Sequence, residues 1–391
     1  MRITIVQGPF LPVPPLRGGA IEKAWFALGG EFARCGHEVT HISRRFAGLP
    51  DAEVINVVRH RRVDGYDTPS SLRLGGIDVL WPRRLLRDRT YARRALRVLP
   101  EADILITNSV SLPTMVTGAD EHGRLFVHVG RFPKAQVGLY RHAARLHAPS
   151  GAVAEALRRR IPNAGAQICT IPYPLSSEMR LATAQDFDQS WSRRAKRIVF
   201  AGRIHPQKGL DLLVDAFAQL AATKELCDWR LSMIGPIEES MGGAGPAYRD
   251  SLIRRAGAAA SSIDWIGLIA EPHLLASHLQ SAAIFVYPSI DESGETFGVA
   301  ALESLACGCP TIVSDLRCFG DYLIPGNTGF RFSHRSTAAA QELRSLLVRL
   351  IADDELRRSC AKRGWEATER FLLPQIAGEF VREFEIMIQD R

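Results

Sequence analysis

The sequence predicts an α/β protein of two successive domains, each a Rossmann-like parallel sheet with helices on its faces. Three observations carry this. Short apolar runs alternate with amphipathic helical stretches along nearly the whole chain, the pattern of βαβ units. At 391 residues the chain exceeds one ordinary domain. A polar stretch at 175–195 has no clear period, reads as the link between domains, and is followed by a fresh strand–helix series.

The elements follow in order. Residues 2–6 are an apolar strand run, and 7–19 are too rich in proline to be regular. Residues 20–35 place apolar side chains at 21, 24, 25, 28, 32 and 35, close to a 3.6-residue period, and predict a helix. Residues 36–42 turn into a second strand, and 52–59 read as one further strand. Residues 72–80, with Gly75-Gly76, show no clear pattern. Residues 83–99 predict a helix with seven arginines and an apolar side of Leu85, Leu86, Tyr91, Ala95, Leu96 and Leu99. Strands are expected at 103–107 and 125–129, another ends at 146–150, a helix runs over 153–160, and 168–171 is the last strand of the first half. The second series has strands at 197–201, 230–234, 263–266, 284–287, 311–314 and 328–332. Its helices fall at 209–222, 247–259, 272–281, 299–307 and 337–351. The tail, 358–391, reads as helical with Pro374 as an interruption, and can cross back onto the first domain. The boundaries are therefore 1–175 for the first domain, with about 372–391 packing back on it, and 176–371 for the second.

Apolar content of 46% and charged content of 23% are those of a soluble globular protein. No apolar run approaches the ~18 to 20 residues that span a bilayer. The N-terminus lacks the apolar region and cleavage site of a signal peptide, so the cytoplasm is the expected location. Seven cysteines (35, 169, 227, 307, 309, 318 and 360) form no CxxC pair, and Cys307-Gly-Cys309 is poorly spaced for zinc. They read as small buried hydrophobes in a reducing compartment, and no metal is expected.

The net charge of +7 is uneven: 28 Lys+Arg stand against 17 Asp+Glu in residues 1–195, and 21 against 25 in 196–391. A basic first half suits an anionic partner: nucleic acid, anionic lipid headgroups or a phosphorylated acceptor. The arginines of 83–99 have no aromatic interleaving or recognition motif, which argues against nucleic acid. A basic amphipathic helix can lie on an anionic membrane surface, or simply be a solvated face. A dinucleotide-dependent oxidoreductase would need Gly-x-Gly-x-x-Gly after the first strand, and Gln7-Gly-Pro-Phe-Leu-Pro12 does not supply it.

The chemistry concentrates at 285–315. An apolar run stops at Tyr287-Pro288, a polar loop covers 291–298, a helix is expected over 299–307, and Gly308 stands where a helix ends. The loop lies at the carboxyl end of a strand, where open α/β sheets bind ligands. Glu295 and Glu303 are eight residues apart, a little over two helical turns, which places two carboxylates on nearly one helix face. Gly202-Arg-Ile-His-Pro-Gln-Lys-Gly209 also follows a strand and opens a helix. Arg203, Lys208 and the helix N-terminus together make an anion site suited to a diphosphate. Arg17-Gly18-Gly19 offers the same logic in weaker form. Carboxylates accept hydrogen bonds from sugar and ribose diols. The layout suits a nucleotide-diphosphate sugar between two domains.

On these residues the chain resembles, nearly end to end, the two-domain (GT-B) retaining glycosyltransferases of family 4. The motifs are Gly18-Gly19 with its helix, Gly36-His-Glu-Val-Thr40, Gly202-Arg-Ile with Lys208-Gly209, and Glu295-Thr-Phe-Gly298 with Glu303-Ser-Leu-Ala-Cys-Gly-Cys-Pro310. Pro12-Val-Pro-Pro-Leu-Arg-Gly-Gly19 is similar to a bacterial subset making envelope or spore-coat polysaccharides.

The resemblance implies two domains facing across a cleft, acceptor-side first and donor-side second. Arg203 and Lys208 would hold the donor diphosphate, and Glu303 the ribose. Glu295 would hold the donor sugar, with backbone N–H groups at Phe297 and Gly298 and with Val299 at the same junction. Gly19, beside Gly18, would donate to the distal phosphate. His128 would lie near sugar and acceptor, although a satisfied core histidine is the competing reading. Trp265 and Ile266 would receive the base. The donor would be a UDP-sugar ahead of a GDP-sugar, with no permanently bound cofactor and no metal. The acceptor would be a glycan, a lipid-linked or a small-molecule hydroxyl, with peripheral contact at the inner face of the membrane. A sugar-nucleotide epimerase on the same fold and a non-catalytic paralogue are the alternatives. Two departures from the family pattern, Met233-Ile-Gly-Pro236 and Cys318-Phe-Gly-Asp321, blur donor identity.

Overall fold

The computed structural model describes residues 1–67, 73, 74, 77, 78, 81–116, 122–223 and 228–390. The chain forms two compact units, Met1–Pro174 with Leu373–Arg391, and Leu175–Leu372.

Unit 1 runs β1 (Arg2–Val6), α1 (Ala20–Arg34), β2 (Glu38–Arg44), β3 (Ala52–Ile55), β4 (Val58–Val63), β5 (Arg73–Leu74), β6 (Ile77–Asp78) and α2 (Trp81–Leu96). It continues with β7 (Ile104–Thr107), β8 (Arg124–His128), β9 (Ala143–Ala148), α3 (Gly151–Arg160) and β10 (Ile168–Thr170). Eight strands make its main sheet in the order β10-β9-β8-β7-β1-β2-β4-β3, parallel except for β3 against β4. Strand alternation splits the core between the two faces. Ile104 and Ile106 face α1 with Trp25 and Phe32, while Leu105 faces α2 and α3 with Tyr91 and Leu157.

Unit 2 runs α4 (Ala184–Ser192), β11 (Ala195–Ala201), α5 (Leu210–Ala221), β12 (Arg230–Ile234), α6 (Pro246–Ala256), β13 (Ile263–Gly267) and α7 (Pro272–Ser281). Then come β14 (Ala282–Tyr287), α8 (Val299–Ala306), β15 (Thr311–Ser314), β16 (Phe330–Phe332), α9 (Ala339–Ala352) and α10 (Asp354–Ala367). Its six strands are all parallel, in the order β13-β12-β11-β14-β15-β16. The chain then returns to unit 1 as α11 (Leu373–Gln389), which packs Phe380 and Phe384 into the α1 face.

Several expectations are corrected. Residues 52–59 are not one strand but the hairpin β3–β4, because Asn56 and Val57 take positive φ of 50° and 67° and reverse the chain. The stretch 175–195 is not a featureless link. Thr183 and Asp186 form a capping box that starts α4, and Phe187 of α4 is fully buried between Trp191 and Trp365. Pro374 does not interrupt the last helix; it stands in the first turn of α11, where its missing N–H costs nothing. On α2, Tyr91, Ala92 and Ala95 face the core, but Leu85 and Leu86 point outward. Cys35 is exposed and Cys169 half-buried, whereas Cys307, Cys309, Cys318 and Cys360 are buried as expected of small hydrophobes. Cys227 and most of 72–80, including Gly75-Gly76, lie outside the described residues.

Candidate active site

In unit 2 the loops after β11 and β14 leave adjacent strand ends and touch. The Ile290 N–H and the Ser289 hydroxyl both donate to the Gln207 carbonyl, at 3.0 and 3.3 Å. Gly209 allows this approach. Its φ is +64°, and a Cβ there would lie 2.1 Å from the Pro288 carbonyl oxygen. Gly209 then opens α5, and Lys208 is fixed one residue earlier.

The contact brings Lys208 and Glu295 together. The Lys208 ammonium lies 2.5 Å from Glu295 Oε2, with side chains 11% and 9% exposed. Tyr287, the last residue of β14, joins them: Lys208 donates to its oxygen at 2.7 Å, and its hydroxyl donates to Glu295 Oε2 at 3.1 Å. The Tyr287 ring stacks between Phe200 and Phe285, which fixes the hydroxyl. Burial disfavours both charges. The Lys208 ammonium outweighs it at Glu295 and holds that carboxyl below its usual range. At Lys208 the oxygens of Tyr287 and Glu295 outweigh burial and raise it above an ordinary lysine.

Glu295 and Glu303 do not share a helix face. Helix α8 starts only at Val299, after the left-handed Gly298, so Glu295 stands in the preceding loop. The eight-residue spacing misled because the glycine breaks the helix between the two glutamates. Glu303 is on α8 and half-buried. The junction at Phe297 and Gly298 is clamped by the Tyr322 hydroxyl, 3.1 and 2.8 Å from their two carbonyl oxygens.

Arg203 follows β11 but turns toward the loop after β12, donating to the Gly242 carbonyl at 2.8 Å. Trp265 and Ile266 lie on the edge strand β13, Trp265 half-buried and Ile266 exposed. Among the described residues no group of three or more His, Cys, Asp or Glu side chains is placed to hold a metal ion.

In unit 1, Gly18 and Gly19 take φ of +73° and +95° before α1. Beside them Glu22, buried in the first turn of α1, approaches Gly19 closely. Burial raises its carboxyl to about 7, against the opposing pull of its own N–H and Arg131. His128 ends β8 and is 3% exposed. A chain of hydrogen bonds fixes its tautomer. The Ile171 carbonyl can only accept, so His147 Nε2 carries a proton there, at 2.7 Å. Burial lowers His147 to about 4, so the ring is neutral and its Nδ1 accepts from His128 Nδ1 at 2.8 Å. His128 Nε2 then accepts from the Tyr173 hydroxyl at 2.9 Å. Both His128 nitrogens are engaged inside unit 1, so the core reading fits its geometry. Any effect on a substrate would pass through Tyr173.

Sequence reasoning missed Tyr287, Glu22 and Tyr173. A tyrosine closing a buried strand was the available signal, since its hydroxyl must find a partner.

The sequence family described as glycosyl transferases group 1 matches residues 183–366, nearly the whole of unit 2. That match covers 184 of the chain's 391 residues. Similar proteins include a phosphatidyl-myo-inositol mannosyltransferase of Mycobacterium leprae, 29% identical over 196 residues, 50% of this chain and 48% of the relative. A GDP-mannose-dependent alpha-(1-6)-phosphatidylinositol dimannoside mannosyltransferase of Mycobacterium tuberculosis is 34% identical over 42% of this chain and 38% of its own. The matches thus span about half the length of these relatives or less. The fold is that of the GT-B glycosyltransferases. Sucrose-phosphate synthase from Thermosynechococcus elongatus superposes with a TM-score of 0.75 at 19% identity over the full length of both chains.

Proposed function

We propose that the chain is a retaining glycosyltransferase, moving a sugar from a nucleotide-diphosphate donor to an acceptor hydroxyl. The observation that carries the reading is the buried Lys208–Glu295 pair at neighbouring strand ends of the group 1 domain. A diphosphate would draw Lys208, with Arg203, and the two cations would neutralise the charge that builds on the leaving group. Glu295, released from Lys208, would accept from donor sugar hydroxyls, and the N–H groups around Phe297 to Val299 would assist. Glu303 would accept from the ribose, and Trp265 and Ile266 would receive the base. In the transfer the bond from the anomeric carbon to phosphate breaks and the bond to the acceptor oxygen forms. The departing phosphate oxygen takes the acceptor proton, so no separate base is required.

In unit 1, Gly18 and Gly19 would meet the distal phosphate, and His128 would act as a positioning residue through Tyr173. The donor is a UDP-sugar or a GDP-sugar. The acceptor class favoured by the basic first half and by the names of the mycobacterial relatives is a phosphorylated or lipid-linked hydroxyl. Among the described residues no helix is long and apolar enough to cross a membrane. We place the protein in the cytoplasm, touching the inner membrane face through α2. Its Leu86 is 66% exposed and is flanked on the helix by arginines 83, 89 and 93.

The test is incubation with UDP-glucose, UDP-galactose, GDP-mannose and ADP-glucose, reading nucleoside diphosphate release and binding by calorimetry. Release from one donor, increased by an acceptor, is the expected result. Failure to bind any of the four would sink the reading.

A further inference from the structure

The loop from Pro288 to Gly298 carries Glu295, and its tip is built largely from its own atoms. The Gly294 and Glu295 N–H groups donate to the Asp291 carbonyl at 3.3 and 2.9 Å, and the Ser293 hydroxyl donates to the Asp291 carboxylate at 3.1 Å. The tip is fastened outward through Glu292. Its Oε1 lies 3.2 Å from His334 Nε2 and 2.6 Å from Arg335 Nε. The other ring nitrogen of His334, Nδ1, bonds the carboxylate of Asp315, just past β15. Asp315 is itself anchored, taking the His334 N–H at 3.2 Å and the Ser333 hydroxyl at 3.0 Å. The His334 side chain is 5% exposed, although Glu292 beside it is half-exposed. None of the donor roles proposed above uses this histidine.

We propose that His334 is a positioning residue for Glu295. Its ring joins Asp315, just past the end of β15, to Glu292, and thereby holds the loop tip from which Glu295 reaches Lys208. Asp315 also accepts the backbone N–H of His334, so the ring is held from the sheet side by two contacts. The charged groups facing the ring are Asp315 and Glu292, with Arg335 adjacent. Arg335 also holds Glu292 and lies 3.8 Å from Asp315, so without the ring the tip loosens without being freed.

The structural claim stands without any donor, while its consequence for turnover rests on the function proposed above. Hydrogen–deuterium exchange on the full chain at a single pH tests it, following peptides across 288–298. Protection there should fall about tenfold in His334→Ala, because the tip opens locally, with peptides over β11 unchanged. Glu292→Ala, at a half-exposed position, should lower it as well. Native protection across 288–298 in either variant overturns the proposal. Where a donor is turned over, His334→Ala should raise its KM several-fold with a smaller change in kcat. A native protein that binds no donor refutes the transferase reading and leaves the exchange result to decide this one.

Discussion

The Lys208 ammonium and the Glu295 carboxylate neutralise each other at 2.5 Å, in surroundings that leave about a tenth of each side chain exposed. Removing one partner strands the other charge in a poorly solvated place, at a cost of about 3–5 kcal/mol. Lys208→Met and Glu295→Gln should each lower the urea midpoint of unit 2, and the double variant should recover most of that loss. Nucleoside diphosphate release should fall at least a hundredfold in all three. A single variant with native rates would contradict the site.

The same pair sets a pH window. Glu295 is held below the usual carboxylate range, so its contribution is present above that range and is lost as acid protonates it. Lys208 is raised, so its contribution is present below the ordinary lysine range and is lost in strong alkali. Melting temperature should therefore be flat near neutrality as far as this pair is concerned.

Glu22 behaves oppositely. Its carboxyl is raised from 4.5 to about 7, so the folded state binds its proton more tightly than the unfolded chain does. That favours the native state in acid and turns into a penalty as pH climbs through 7, on the order of 1–3 kcal/mol above it. Glu22→Gln should be more stable than the native protein at pH 8 and no more stable at pH 4. Calorimetry at the two pH values checks this.

Two glycines with similar φ should respond differently to alanine. At Gly209, with φ +64°, the new Cβ would meet the Pro288 carbonyl at 2.1 Å, so the two loops must part. At Gly18, with φ +73°, nothing lies within 4 Å. Gly18→Ala should cost about 1–2 kcal/mol from backbone strain alone. Gly209→Ala should cost more and abolish donor binding.

Vesicles containing anionic lipid should retain the protein at low salt and release it at high salt, because screening weakens arginine contacts with headgroups. Leu86→Asp should weaken retention further. Equal binding to neutral vesicles in co-sedimentation would show that α2 is a solvated face.

The layered fold was legible because continuous apolar runs such as Ile104 to Thr107 and period-3.6 stretches such as α1 report burial directly. Lys208 and Glu295 were legible as types, since a cation and a carboxylate each followed a strand. Their pairing was not, because it depends on Gly209 and Pro288 meeting across two loops far apart in sequence. Glu303 was misplaced beside Glu295 since spacing assumes one continuous helix, and Gly298 ends that assumption. The tautomer of His128 rests on a single carbonyl, that of Ile171, which no local pattern announces. α4 was missed although Thr183-x-x-Asp186 spelled its cap, because its apolar face rests on Phe187 and Trp191, two residues in a short polar helix.

α11 has a further consequence for how the chain comes to be folded. Its Phe380 and Phe384 close over Trp25, Phe32 and Phe126, yet it follows the whole of unit 2 in sequence. Unit 2 is inserted whole, its first and last residues, Leu175 and Leu372, bridging each other. During synthesis unit 2 can therefore be complete while the half made before it still shows an open aromatic face. Unit 1 closes after unit 2. A ribosome stalled just before Leu373 would present that face to chaperones and proteases, whatever the state of unit 2.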